Sequence, residues 1–322
     1  MLTVYDLLGT GSPQSSDIGI EVEVEFASRP PPVDIIPGIW RSKTDGSLRF
    51  VGREYATRSP ISQSLVLEIV LELCGILNDE RFDTIKDSPR AGVHVHINMS
   101  GNNVLDVYKV ATAYWLMEDL MIQYCGAYQR KGNNYCMGLS NGEARLSDII
   151  EDLQQEFPLR SPAFGSTRYC GMNLAAITKF GSIEFRSMRA TTDPNVISDW
   201  ASSLYWLKQA ASEFQNPEQL YDWYIDASGQ EILNRFFPSM EEFKEKLMAF
   251  PSWEDDLKEN ILLIDRLAYI HDWDMWIQQT EEKIRGPLLV DVPCTEIEET
   301  CNCLECRASR AEYDEDESDF DD

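Results

Sequence analysis

From Ile18 to Phe26 the chain reads Ile-Gly-Ile-Glu-Val-Glu-Val-Glu-Phe, an alternation with a period of two residues. In extended backbone, successive side chains leave on opposite faces, so Ile18, Ile20, Val22, Val24 and Phe26 form one apolar face. Glu21, Glu23 and Glu25 form the other, with neighbouring carboxylates about 7 Å apart at a rise of ~3.3 Å per residue. The segment is therefore a strand whose sheet packs on one side only. Taken alone, its acidic face is most simply a solvated one. Inside a cleft, three like charges would repel. A hard divalent cation removes that conflict, because Mg2+ and Mn2+ prefer oxygen ligands.

The same alternation returns twice. In Ala91 to Met99, Val93, Val95 and Ile97 face a core while His94, His96 and Asn98 face the other way. The chain has only three histidines, and two of them lie on this one strand face. They are either hydrogen-bonded surface groups or contacts for a metal or phosphate. In Gly181 to Arg186, Ile183 and Phe185 face one side and Glu184 and Arg186 the other, with Arg189 a little further on. That pair is either a plain surface ion pair or a metal ligand beside a phosphate clamp. Two shorter segments add polar groups. Lys43 to Leu48 reads as a turn entering a strand, with Arg53-Glu54-Tyr55 close behind, and Thr167 to Leu174 mixes a cation, a phenol and an amide.

Three textures divide the chain. Residues 1–215 alternate strands with helices. The expected strands are 18–26, 48–51, 53–57, 92–99, 168–174 and 182–186, and the expected helices are 61–77 and 104–128, where apolar residues recur at three- and four-residue spacing. Residues 216–290 read as a helical extension. Asp193-Pro194 resembles an N-cap followed by a first-turn proline, and Phe237-Pro238-Ser239 and Phe250-Pro251-Ser252 each read as a break before a new helix. Residues 291–322 form an acidic tail with too little apolar content to pack, and disorder is expected there. Polar-faced strands backed by helices point to an α+β fold, an antiparallel sheet with a functional concave face and a helix-covered convex one.

Charge narrows the function. Fifty-five acidic residues oppose 28 basic ones, a net charge of -27. Nucleic-acid backbones and anionic membrane surfaces both require a basic footprint, so neither is an expected partner. The opening stretch, MLTVYDLLGTGS, lacks a basic segment followed by a long apolar one, so a cytoplasmic location is expected. Cys74, Cys125, Cys136 and Cys170 are then read as reduced thiols and not as a disulfide frame. No Gly-x4-Gly-Lys-Ser/Thr loop occurs, so any nucleotide site must be built another way.

Together these segments resemble a known superfamily. Gly19 to Glu23 is similar to the Gly-x-Glu-x-Glu strand of glutamine synthetases and gamma-glutamylcysteine ligases. Gly92 to Met99 resembles the Gly-x-His-x-His strand of glutamine synthetases, and Ser182 to Arg186 resembles their Ile-Glu-x-Arg strand, in the same order along the chain. Asp45 to Leu48, Arg53 to Pro60 and Arg168 to Leu174 look most like the amidoligase branch, common in phages and bacteria. The likeness spans residues 17–210. It implies a glutamine-synthetase-like half-barrel sheet and an ATP-dependent carboxylate-amine ligase working through an acyl phosphate. It also implies site roles. Glu21, Glu23, Glu54, His94 and Glu184 would ligate Mg2+ or Mn2+. Arg186 would clamp the transferring phosphate, with His96 nearby, and Glu54, Arg186 and Arg189 would act in catalysis. Asp45, Arg168, Tyr169 and Asn173 would line the substrate end. Glu25 extends the first motif without an assigned role. The substrates would be small-molecule or peptide carboxylates and amines.

Two other readings stay open. A zinc hydrolase could use a His-x-His strand, with His271 as the remaining histidine. A non-catalytic binding or virion-assembly module could retain the fold and engage a basic partner through its tail. Cys294, Cys301, Cys303 and Cys306 in that tail either bind Zn2+ or stay as reduced thiols, since their spacing lacks the usual paired Cys-x2-Cys arrangement.

Overall fold

The computed structural model describes residues 2–85, 88–126, 130, 133, 136–138 and 170–271. The chain divides into two units, Met1–Thr280 and Glu281–Asp322, and every described residue belongs to the first. Arg168 and Tyr169, the tail cysteines and the expected helical stretch beyond residue 271 lie outside the described residues.

The alternating segments all become strands of one open antiparallel sheet of seven strands. In chain order they are β1 (Ile18–Phe26), β2 (Trp40–Thr44), β3 (Val51–Thr57), β4 (Thr84–Ile85), β5 (Gly92–Asn98), β6 (Met172–Asn173) and β7 (Ser182–Arg189). Across the sheet the order is β2-β3-β1-β5-β7-β6. Strand β1 sits between β3 and β5, and β4 takes up its edge at Glu25 and Phe26, beyond the last pairing with β5. The first acidic strand is thus central, with neighbours on both sides.

Helices cover the apolar face. The helices of this part of the chain are α1 (Val4–Leu8), α2 (Val66–Leu77), α3 (Val104–Tyr124), α4 (Ala176–Phe180) and α5 (Pro194–Ser212). Helix α5 lies against β1 and β5, α3 against β7, and α2 packs on α5. Ile18, Ile20, Val22, Val24 and Phe26 are all buried beneath them, as are Val93, Val95, Ile97, Ile183 and Phe185. Tyr114 of α3 meets Phe185 of β7 edge to face at 4.8 Å. The period-two apolar pattern of the strands and the helical stripes of α2 and α5 therefore meet in one core.

Local chemistry fixes the element ends. Asn103 accepts from the Asp106 amide while the Asp106 carboxylate accepts from the Asn103 amide, a capping box at the start of α3. Asp193 caps α5, with Pro194 in its first turn. Gly181 ends α4 at φ +66 and turns the chain into β7. A Cβ there would lie 2.6 Å from the Thr10 carbonyl oxygen, so the turn requires glycine.

The helices that follow are α6 (Pro217–Asp226), α7 (Gly229–Phe236), α8 (Glu241–Met248), α9 (Trp253–Asp256), α10 (Ile261–Asp265) and α11 (Ala268–His271). The two Phe-Pro-Ser breaks fall between α7 and α8 and between α8 and α9. Helices α6, α8, α9 and α10 pack on α3, and α7 on α5. Asn260 donates to the Trp115 carbonyl and to the Asp119 carboxylate, tying this helical region to α3 from within. Among the described residues no helix is long and apolar enough to cross a membrane. Cys74, Cys125 and Cys136 are buried and Cys170 is half-buried.

Two expected strands need correction. Residues 48–50 form a turn, not a strand: Phe50 takes a left-handed φ of +56 and is exposed, and the strand starts at Val51. In the expected strand 168–174, pairing among the described residues is confined to Met172–Asn173, with an isolated bridge at Cys170. Strands β2 and β4 had no sequence signal of their own.

Candidate active site

Pairing register assembles the polar face row by row. In one row Lys43 of β2 faces Glu54 of β3, which faces Glu23 of β1. In the next, Glu21 of β1 faces His94 of β5. In a third, His96 of β5 faces Glu184 of β7, which faces Asn173 of β6. Strands far apart in sequence thus bring their polar faces together, all opposite the helices.

The side chains converge into two groups. Glu21, His96 and Glu184 each offer one ligand atom, and these atoms all lie within 4.8 Å of one another. Glu23, Asp45 and Glu54 do the same. His94 stands between the groups: its Nδ1 is 3.4 Å from both Glu21 Oε2 and Glu184 Oε1, and its Nε2 is 3.7 Å from Glu23 Oε2. Asn173 Nδ2 donates to Glu184 Oε2 at 2.6 Å, and the Arg186 guanidinium pairs with the other oxygen of Glu184. His96 Nδ1 lies 3.0 Å from Ser182 Oγ, which orients the ring so that Nε2 points toward Glu21 at 3.5 Å. Glu23 Oε2 accepts the Gly92 amide at 2.9 Å.

The electrostatics of the two groups differ. Burial opposes ionisation of Glu21, but the His94 and His96 imidazoles beside it outweigh burial and hold its carboxyl well below the usual carboxylate range. Glu184 is likewise lowered: burial works against its charge, but His94, Arg186 and His96 overcome it. Burial also works against a charged His96, yet Glu21 and Glu184 raise its pKa. In the second group the sign reverses. Burial raises Glu23 despite His94 and Arg186, and burial together with the Glu21 charge raises Glu54 despite Lys43. The first group is a set of balanced charges and the second a knot of carboxylates.

Donor chemistry decides what each group fits. Two carboxylates and an imidazole suit Mn2+ or Mg2+ and also softer divalent ions. Three carboxylates suit a hard cation. Both sets therefore fit divalent cations, with Glu21, His96 and Glu184 as ligands of one, and Glu23, Asp45 and Glu54 of the other.

The structure places the remaining candidates less uniformly. Asp45, expected at the substrate end, joins the second carboxylate group, while its Oδ1 accepts both the amide and the hydroxyl of Ser47. His96, expected near the phosphate, offers its nitrogen to the first group. Asn173 bonds Glu184 directly. Arg189 is not brought to the others: it lies beyond an irregularity in the β5–β7 pairing, and its guanidinium donates to the Tyr124 carbonyl at the end of α3. It borders a separate cavity of about 480 Å3 lined by Asn78 and residues 190–194. Asn98 points its amide at the carbonyls of Ser12, Ser15 and Ser16, so it anchors the N-terminal loop. Glu25 is fully buried; its Oε1 accepts the Arg49 amide at 2.6 Å and its Oε2 has no hydrogen-bond partner. His271 is committed to Asp265 and Tyr221 on the C-terminal helices and belongs to neither group. Lys43 carried no signal in the sequence, yet its ammonium lies 2.9 Å from Glu54 Oε1.

The profile of the family described as "Putative amidoligase enzyme" matches residues 57–208, from the last residue of β3 to α5. Over that stretch the chain is similar to the amidoligase family. The matched segment carries His94, His96, Asn173, Glu184 and Arg186, whereas Glu21, Glu23, Asp45 and Glu54 precede it. No curated protein matches the chain.

Proposed function

We propose that this chain is an ATP-dependent carboxylate-amine ligase that uses Mg2+ or Mn2+ on the polar face of its sheet. One observation carries the reading: Glu21, Glu23, Glu54, both strand histidines, Glu184 and Arg186 converge there, although they come from four strands spread over the chain. The half-barrel curvature of glutamine-synthetase-like sheets belongs to the same reading. So does a division into a catalytic core (1–215), a helical extension (216–290) and a tail (291–322).

Carboxylates are poor electrophiles. Transfer of a phosphoryl group from ATP to the substrate carboxylate gives an acyl phosphate and ADP, and attack by an amine then gives the amide and phosphate. Phosphoryl transfer needs positioning and charge neutralisation more than covalent help. Bound divalent cations would neutralise phosphate oxygens and orient them.

This chain's own residues supply the rest. The Arg186 Nε is buried and has no hydrogen-bond partner, while another nitrogen of the same guanidinium is held by Glu184. An anchored guanidinium with a spare donor suits an anion such as the transferring phosphate. Asn173 and Arg186 fix Glu184 from both oxygens, so the ligand set is rigid. Glu54, on the polar face opposite Glu23, is the carboxylate that would take the proton from an incoming ammonium. The strongly acidic chain also disfavours a nucleic-acid substrate.

The test is ADP release across a panel of small and peptide carboxylates paired with amines, in Mg2+ or Mn2+. The expected result is release that depends on both substrates and is lost in Glu21→Ala and Glu184→Ala variants that remain folded. Full turnover in either variant would overturn the assignment.

A further inference from the structure

Three carboxylates gather at Glu23, Asp45 and Glu54, and Glu23 and Glu54 are almost fully buried. Such a cluster needs a counter-charge. The ammonium of Lys43 stands 2.9 Å from Glu54 Oε1, and strand pairing sets Lys43 directly opposite Glu54. This lysine lies on β2, at the edge of the sheet, and half of its side chain is exposed. Its stem is therefore free to swing outward without disturbing the core. Arg41, two residues earlier on β2, shares the same sheet face.

We propose that Lys43 is a built-in placeholder: its ammonium neutralises the Glu23–Asp45–Glu54 group before a divalent cation arrives, and the cation must displace it. The inference rests on the proposal that this group is a cation site. Displacement improves the charge balance, because a divalent cation brings two positive charges where the ammonium brought one, and the released ammonium moves toward water. A lysine suits this role better than an arginine would, since its point charge makes no bidentate fork with the carboxylate. The contrast with the other group is informative. There Arg186 and Asn173 grip Glu184 from both sides and both partners are largely buried, so that counter-charge is fixed.

Mn2+ binding by the purified full chain tests the idea, followed by calorimetry and by loss of the free-ion paramagnetic resonance signal. The wild type is expected to bind two ions of unequal affinity. Lys43→Met should bind the weaker ion about tenfold more tightly, the factor a competing charge worth ~1.4 kcal/mol would impose. Lys43→Gln should repeat that shift, and Lys43→Arg should not tighten binding. In EDTA, Lys43→Met should also melt earlier than the wild type, and saturating Mn2+ should erase the difference. Two bound ions with affinities unchanged or weakened in both neutral variants would overturn the placeholder role and leave the ligase reading intact. A wild type that binds fewer than two ions would overturn the cation-site reading on which the inference stands.

Discussion

Replacing Glu23 with glutamine should make the cation-free protein more stable and its second cation site useless. The side chain is 6% exposed, faces Glu54 across the strand pair, and has a carboxylate oxygen within 4.8 Å of ligand atoms of Glu54 and Asp45. At an effective dielectric of about 20, like charges ~5 Å apart repel by about 3 kcal/mol. Part of that is offset by the Gly92 amide, which donates at 2.9 Å, and by His94 at 3.7 Å. Glutamine keeps the acceptor for Gly92 and loses only the charge. The direction agrees with the titration of the group. Burial raises the Glu23 carboxyl above its ordinary value, so its ionised form costs stability at neutral pH, and that cost vanishes as pH falls through the folded-state pKa. Expected is a gain of about 1–2 kcal/mol, or a melting temperature roughly 2–4 °C higher per kcal/mol. The assay is thermal melting at pH 7.5 in EDTA, repeated in saturating Mn2+. The wild type should gain more from Mn2+ than Glu23→Gln does. A variant that melts earlier in EDTA, or gains as much from Mn2+ as the wild type, would refute the reasoning.

The same substitution at Glu184 should act with the opposite sign. His94 and Arg186 hold its carboxyl low despite burial, so its charge contributes stability at neutral pH that is lost as pH falls through the folded-state pKa. Glu184→Gln should cost about 3 kcal/mol, as a broken buried pair does, measured by urea unfolding in EDTA. Mn2+ affinity at the carboxylate group should fall as pH drops from 7.5 toward 5, because burial raises both Glu23 and Glu54 and protons then compete with the ion; calorimetry at three pH values checks this, and a flat profile contradicts it. Gly171→Ala would set a Cβ 2.5 Å from Ser187 Oγ and 3.0 Å from Glu118 Oε1 behind β7, and should cost about 1–3 kcal/mol by urea unfolding.

Much of this site was legible before any coordinates, for a physical reason. Wherever a strand alternates strictly, parity alone sorts side chains between the core and the polar face, and β1, β5 and residues Ser182–Arg186 of β7 alternate in this way. That placed Glu21, Glu23, His94, His96, Glu184 and Arg186 on one side without knowledge of their neighbours. Parity could not place Arg189, because the β5–β7 pairing shifts before it: Val95 faces Phe185 but Val93 faces Met188. Ser187 and Met188, adjacent in sequence, are both buried there, and Ser187 meets the Tyr114 hydroxyl at 2.9 Å. Strand β2 was invisible because Trp-Arg-Ser-Lys-Thr buries a single side chain, Trp40; an edge strand owes its place to pairing and not to apolar pattern. With β2 unseen, the facing of Lys43 and Glu54 could not be read. Nor could the partition of the acids into two groups, since that depends on which residues the register sets opposite each other. Asp45 enters the second group from the turn after β2, a position no periodicity describes.

Anomalous diffraction from crystals grown with Mn2+ and a non-hydrolysable ATP analogue tests the central claim most directly. Two manganese peaks are predicted, one among Glu21, His96 and Glu184 and one among Glu23, Asp45 and Glu54, with the triphosphate reaching toward Arg186. Crystals that hold the nucleotide elsewhere, or show no manganese at either group, would contradict the account.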